Sequence, residues 1–216
     1  MPPRQMCASL AAMEQRHTLH IIDKSSRARA ELARTGFDLG HHCEVYGSIA
    51  ELLERPPEGG IILAANEVAA DAVARLAEHG RWLPVVALGA DPSPEQVVTA
   101  VRAGVLDFLT LPLDPAALTA SLGRIAAEVA AHGDARRRAV AASQRVSDLS
   151  PREREVLDWL ARGCSNKVIA RELTISPRTV EIHRANMMNK LGARHAAEAI
   201  RLRLEAEPAA RMQAAV

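Results

Sequence analysis

Six residues near the C-terminal end of this 216-residue chain carry side chains suited to reading DNA: Arg178, Glu181, Ile182, Ala185, Asn186 and Asn189. At 100° per residue they gather on one side of a helix, while Val180, His183, Arg184, Met187 and Leu191 gather on the other. A solvated helix would fill its outer side with Lys, Glu and Arg. This one mixes forked and amide hydrogen-bonding groups with an unshielded isoleucine. The DNA major groove has a partner for each: guanine for Arg, adenine for Asn, cytosine N4 for Glu, and the thymine methyl for Ile and Ala. Lys167, Arg171, Lys190, Arg184, Asn166 and Thr179 are placed to meet flanking phosphates. The competing reading of the same face is a helical protein-interaction surface.

No comparable chemistry assembles elsewhere. No nucleophile, base and orienting group share a motif, and there is no Gly-rich phosphate loop, so an enzyme is not expected. His41, His42 and Cys43 form a trio that can ligate a metal or haem, but they read more simply as a loop entering a strand. Cys7, Cys43 and Cys164 show no C-x-x-C pairing, which argues against a disulfide framework or a zinc site. Neither metal nor cofactor is expected. Cys164 reads as a small turn residue, with redox sensing as its second reading. One Tyr and two Phe leave no stacking platform for single strands, so the expected nucleic acid is double-stranded.

Charge is divided along the chain. Residues 150–216 carry 12 Lys/Arg against 8 Asp/Glu, and residues 1–149 carry 15 against 18. The excess of positive charge therefore lies with the candidate DNA-reading helix. No apolar run reaches membrane-spanning length, and the short N-terminal apolar patch is interrupted by Glu14 and Arg16. A cytoplasmic protein with no membrane partner is expected.

The elements that must hold the reading helix are marked by caps and stops. Ser150-Pro151-Arg152-Glu153 is a capping box opening a helix that carries Val156, Leu157 and Leu160 and stops at Gly163. A second helix covers about 165–173. Ser176-Pro177 opens the third, which runs to Leu191 and stops at Gly192. A fourth covers about 195–205. The second and third are separated by a few residues, which is helix-turn-helix spacing.

Upstream, short apolar runs alternate with helical patterns. The runs are 19–22, 61–65, 84–89 and 105–112, with 42–47 a further short strand, and the helices are 25–35, 49–54, 67–79, 95–104 and 115–132. Repeated βα units with continuous apolar strands predict a parallel sheet covered on both faces, a flavodoxin-like α/β fold. The expected organisation is an N-terminal arm (1–16), an α/β domain (17–132), a linker, partly helical (133–148), and an all-α domain (149–216). Arg136, Arg137 and Arg138 in the linker read as a solvated face.

The stretch LSPREREVLDWLARGCSNKVIARELTISPRTVEIHRANMMNKLGARHAAEAI (149–200) resembles the LuxR/FixJ-type helix-turn-helix in its REREVL, G-x-SNK-x-IA, ISPRTVE-x-H and KLG segments. The resemblance implies sequence-specific transcription regulation, usually as a homodimer on inverted repeats. It places base contacts at Glu181, Ile182 and Ala185, and dimer contacts on the last helix, at His195, Ala199 and Arg203. Many relatives have Lys or Arg where Glu181 stands, so promoter preference does not transfer.

The α/β part resembles a response-regulator receiver, through its strand arrangement and VRAG-x-x-DFL-x-x-P (101–112). That family's phosphoryl chemistry needs an acidic pair, an acceptor Asp, a hydroxyl and a Lys. The matching positions here are Asp23 (followed by Lys24), Ala64 or Ala65, Gly89 and Leu111. One carboxylate beside a lysine is a poor start for Mg²⁺. The expectation is a degenerate receiver attached to a DNA-binding domain that acts without aspartyl phosphorylation. The alternative is an interaction module that binds a kinase, RNA polymerase or another regulator.

Overall fold

The apolar runs of the three central strands are buried because only a layer between two helical layers can cover a segment apolar on both faces. The computed structural model describes residues 16–213. The expected arm and Cys7 lie outside those residues, apart from Arg16. The strands are β1 (Thr18–Ile22), β2 (His42–Tyr46), β3 (Ile61–Ala65), β4 (Val85–Gly89) and β5 (Asp107–Thr110). They form one parallel sheet in the order β2-β1-β3-β4-β5. This is the flavodoxin-like arrangement. Between them run α1 (Ser26–Asp38), α2 (Ile49–Glu54), α3 (Asn66–Glu78) and α4 (Pro94–Arg102).

Alternation along each strand sends side chains to two cores. Ile22, Ile62, Ala64 and Ala87 pack with Leu52, Ala69, Ala72 and Leu76 on one face. Leu19, Ile21, Leu63, Val86 and Leu88 pack with Leu32, Leu118 and Leu122 on the other. Both cores are almost wholly aliphatic. Serines start three of these four helices. Ser25 Oγ accepts from Ala28 N, Ser48 Oγ from Glu51 N, and Ser93 shares a full capping box with Gln96.

The next helix, α5 (Pro115–Ser147), runs on through the segment expected as a partly helical linker from residue 133. It is continuous over 33 residues. Gly133 is the weakest helix former between 133 and 140, a segment otherwise of Ala, Arg, Asp and Val. One glycine, costing about 1 kcal/mol against alanine, does not break a helix flanked by strong formers. Asp107 ties the first half of α5 to the sheet. Its Oδ2 accepts from the buried Ser121 hydroxyl at 2.6 Å and from Arg124. Burial works to raise the Asp107 pKa, but these bonds and one from Phe108 N outweigh it and hold the carboxyl below its ordinary range.

The chain divides into two compact units, with the break inside α5 after Asp134. The second contains α6 (Pro151–Ala161), α7 (Asn166–Glu172), α8 (Pro177–Leu191) and α9 (Ala196–Gln213). Its core joins Val156, Leu157, Leu160, Ile169, Val180, Met187, Leu191, Ala199 and Leu202. α9 extends past the expected end near 205, through a segment rich in Ala, Glu and Arg. Among the described residues, no helix is long and apolar enough to cross a membrane.

Candidate nucleic-acid interface

The helix-turn-helix is α7, a four-residue connection and α8. The Ser176 hydroxyl caps α8, accepting from Thr179 N at 3.0 Å, with Pro177 at the first helical position. At the other end Gly192 takes a left-handed conformation (φ 65°) that closes the last turn. Thr174, in the connection, also sits at positive φ (56°), an uncommon state for a β-branched residue. Its N–H reaches Arg171 O, and Ile175 N reaches Ala170 O, which closes the turn.

Burial then sorts the faces of α8. Val180, Met187 and Leu191 are at most 1% exposed. Arg178, Glu181, Ile182, Ala185, Asn186 and Asn189 are all exposed, Ile182 by half. All six expected base-reading residues therefore stand on one outward face, backed by a rigid apolar seam. Within that face Arg178 Nη1 donates to Glu181 Oε2 at 3.1 Å. The pair leaves the face with balanced charge and donors and acceptors side by side.

The residues assigned to phosphates have more varied surroundings. Lys167 is exposed in the first turn of α7. Arg171 is exposed and pairs with its neighbour Glu172 at 3.0 Å. The Thr179 hydroxyl lies 2.8 Å from that of Ser176, within the cap. Arg184 and Asn166 bond to each other at 3.0 Å and so clamp α8 to α7. Lys190 donates to Glu153 Oε2 at 2.8 Å. Glu153 is buried and also closes the α6 capping box by accepting from Ser150 N at 2.8 Å. Donation from Lys190, opposed by burial and aided by Ser150, holds the Glu153 carboxyl below its usual range. Lys190 thus joins the C-terminal end of α8 to the start of α6.

The expected dimer residues separate. His195 is exposed and its carbonyl receives the first turn of α9. Ala199 is completely buried in the unit's own core, so it has no surface to offer a partner; this corrects its assignment. Arg203 is 28% exposed and donates to Asp158 Oδ1 on α6 at 2.7 Å, an internal bond. The outer stripe of α9 is instead Ala197, Arg201 and Leu204, and Leu204 is 56% exposed. Its i, i+4, i+7 spacing is visible in the sequence, but alanines on every side of α9 mask the stripe.

At the C-terminal ends of the strands in the first unit, Asp23 Oδ1 accepts from Ser25 N at 2.7 Å, so its carboxylate caps the turn into α1. The Arg29 guanidinium donates to the carbonyls of Asp23 and Lys24. Ala64 is wholly buried, while Ala65, the last residue of β3, is only half-buried. Of the two alanines considered, Ala65 is therefore the one that reaches the strand end. α3 starts at the next residue, Asn66. A side chain at Gly89 would place its Cβ 3.0 Å from Phe108 Cζ, because the Phe108 ring fills that space. Leu111 is half-buried and packs on the core. The His41-His42-Cys43 trio does not converge. Cys43 packs in the core beside Gly36, burial pushing its thiol pKa up, whereas His42 lies on the opposite strand face beside Glu44. His41 Nδ1 accepts from His17 N. Cys164 packs half-buried against the second unit's core, its N–H bonded to Trp159 O.

Residues 147–203 match the family model described as bacterial regulatory proteins, luxR family. Over 196 residues the chain is 34% identical to the transcriptional regulatory protein FixJ of Azorhizobium caulinodans, covering 86% of this chain and 91% of that one. It is 46% identical over 111 residues to FixJ of Bradyrhizobium diazoefficiens, a match that spans about half of each chain (50% and 53%). Among solved structures, full-length FixJ from B. japonicum is similar, at 27% identity and a TM-score of 0.49, covering 88% of this chain and 97% of that one.

Proposed function

The chain belongs to the FixJ-type response regulators that carry a luxR-family DNA-binding domain, and from that premise we propose how it reads DNA and how it is controlled. It is a transcriptional regulator. The outward face of α8 reads the major groove, with Arg178 and Glu181 addressing adjacent bases, Asn186 and Asn189 favouring adenine, and Ile182 and Ala185 touching thymine methyls. Lys167 and Arg171 hold the phosphates. Arg184, Asn166 and Lys190 position the helices rather than the nucleic acid. The observation that carries this reading is the burial split along α8 between three apolar residues and six exposed ones.

Control does not run through aspartyl phosphorylation in this proposal. An alanine end to β3, a lone carboxylate already bonded in a turn, and a phenyl ring over Gly89 all support that view. The first unit is then a degenerate receiver that answers to abundance or a partner, RNA polymerase among the partner candidates. The protein acts without catalysis, as a homodimer on inverted repeats, because one short helix reads too few base pairs for genomic selectivity. The Ala197–Arg201–Leu204 stripe is the proposed dimer contact, and the domain junction lies within α5.

The test is a titration of untreated full-length protein against a pool of genomic duplex fragments, at several salt concentrations, with and without a small-molecule phosphodonor and Mg²⁺. The expected result is selective binding, a log-affinity-against-log-salt slope of several units, and no response to the phosphodonor. A flat slope refutes the DNA reading. Binding that appears only with phosphodonor refutes the control mechanism.

A further inference from the structure

Each ring nitrogen of His20, in the middle of β1, faces an acceptor. The side chain is buried, 1% exposed. Nε2 lies 2.9 Å from the Gly59 carbonyl oxygen. Nδ1 lies 3.2 Å from Glu44 Oε2, across the pairing of β1 with β2. A neutral imidazole carries one N–H, so either tautomer satisfies one of these contacts and leaves the other nitrogen's lone pair against oxygen. With the proton on Nε2, it is Nδ1 that is buried without a hydrogen bond. Only the imidazolium, with two N–H groups, answers both acceptors.

The surroundings hold both acceptors in place. Gly60 stands at φ +110°, and a Cβ there would lie 2.6 Å from His20 Nε2 and from Thr18 O, so the glycine lets the chain before β3 close on the ring. On the other side the Tyr46 hydroxyl donates to Glu44 Oε2 at 2.6 Å. That bond holds the Glu44 carboxyl below its ordinary range, so it stays ionised where histidines titrate. His42, exposed on β2, approaches the other Glu44 oxygen at 3.4 Å. The remaining charged groups around the ring's hollow are Glu51 and Glu54 of α2, and Arg55 and Glu58 of the connection to β3. α3 brings Ala69, Ala72 and Leu76 to the core on this side of the sheet.

We propose that His20 is a proton-operated latch in the first unit: the imidazolium ties β1 to Glu44 on β2 and to Gly59 before β3 at once, and loss of the proton releases Glu44. Glu44 is the partner that leaves. Its side chain is 43% exposed and meets water on turning outward, whereas the Gly59 carbonyl cannot turn without moving the chain. Tyr46 is bonded to Glu44 and moves with it. β2 is an edge strand of the sheet, so the device makes the shape of that edge depend on pH. The sign follows from the two states: the tie is present in acid and is lost as pH rises through the His20 titration. The latch is independent of the DNA reading, and its test contains no DNA.

The experiment follows full-length protein by NMR from pH 8.5 to pH 5.5, with ¹⁵N-labelled histidine and ¹³C-labelled tyrosine. All samples carry His42→Gln, because His42 meets the same carboxylate. At the acid end His20 is expected to show N–H signals on both ring nitrogens, and on raising the pH to lose the Nδ1 proton while Nε2 keeps its own. Glu44→Gln is expected to move that titration to lower pH by about one unit, the effect of removing one close opposite charge. Glu58→Gln, at an exposed position of the same hollow, is expected to move it far less. The chain has a single tyrosine, so the Tyr46 ring reports the release directly, and its signals are expected to shift with the His20 midpoint. An Nδ1 that stays bare at pH 5.5, a titration that Glu44→Gln leaves in place, or Tyr46 signals that do not follow His20 overturns the proposal.

Discussion

Lys190 tests whether geometry or position decides which cations meet DNA. By position it is one of several basic groups around the reading helix. In the structure it is bonded to Glu153, whose side chain is 6% exposed, while the lysine itself is 44% exposed. Replacing Lys190 with Gln leaves a nearly buried carboxylate without its cation. A hydrogen bond to a charged group contributes about 1.5–3 kcal/mol. The half-exposed lysine, partly screened by water, argues for the lower part of that range. Lys190→Gln should therefore destabilise the second unit by about 2 kcal/mol. A double-mutant cycle with Glu153→Gln should return a coupling of roughly 1–2 kcal/mol. The assay is urea unfolding followed by Trp159 fluorescence in a Trp82→Phe background, so that the signal comes from the second unit. DNA affinity is measured in parallel against salt. Lys190→Gln should leave the salt slope unchanged, whereas Lys167→Gln should lower it by about 0.9 without loss of stability. If Lys190→Gln is as stable as the parent and the slope falls by about one unit, the lysine belongs to a phosphate and the argument from geometry fails.

Adjacent faces of α8 should separate two kinds of loss. Met187→Ala, fully buried, should cost about 2–5 kcal/mol in the same unfolding assay, whereas Ile182→Ala should change stability little and weaken duplex binding roughly tenfold, judged by anisotropy of a labelled site. Thr174→Asn should stabilise the second unit by about 1 kcal/mol, since asparagine tolerates the left-handed state better; an unchanged or lower urea midpoint would count against strain in that turn. Acid should act through Glu153 and Asp107. Their folded pKa values lie below the ordinary 4.5 and 3.8, so the stability they contribute is complete above those values and is lost as pH falls through the depressed ones. In Asp107→Asn and Glu153→Gln variants, equilibrium unfolding from pH 6 to pH 3 should show a shallower decline than in the parent, and an identical decline would show that other carboxylates dominate.

Local signals carried most of the architecture. Continuous apolar runs at 19–22 and 61–65, with serine caps at 150 and 176, place the central strands and the starts of two helices. The outward face of α8 was legible because Val180, Met187 and Leu191 repeat at helical spacing. Longer-range facts were not legible. Nothing local shows that Glu153 lies beside Lys190, 37 positions away, or that Ala199 turns inward while Leu204 turns out. In Ala-rich α5 and α9 every side looks alike, so neither the continuity of the first nor the exposed stripe of the second has a clear period. His20 reads as an ordinary residue in an apolar strand, and its contact with Glu44 exists only once β2 lies beside β1.

The ring of Phe108 over Gly89 also ties the ends of β4 and β5 into one packing unit. Adding a hydroxyl residue at position 89 first forces a 3.0 Å approach to the ring. Shrinking Phe108 first leaves a gap beside β4 before anything fills it. The two positions share one space, so their substitutions should be non-additive, as for residues in contact generally. Any substitution at the end of β4 is therefore felt at once in β5, and the two positions are best varied as a pair.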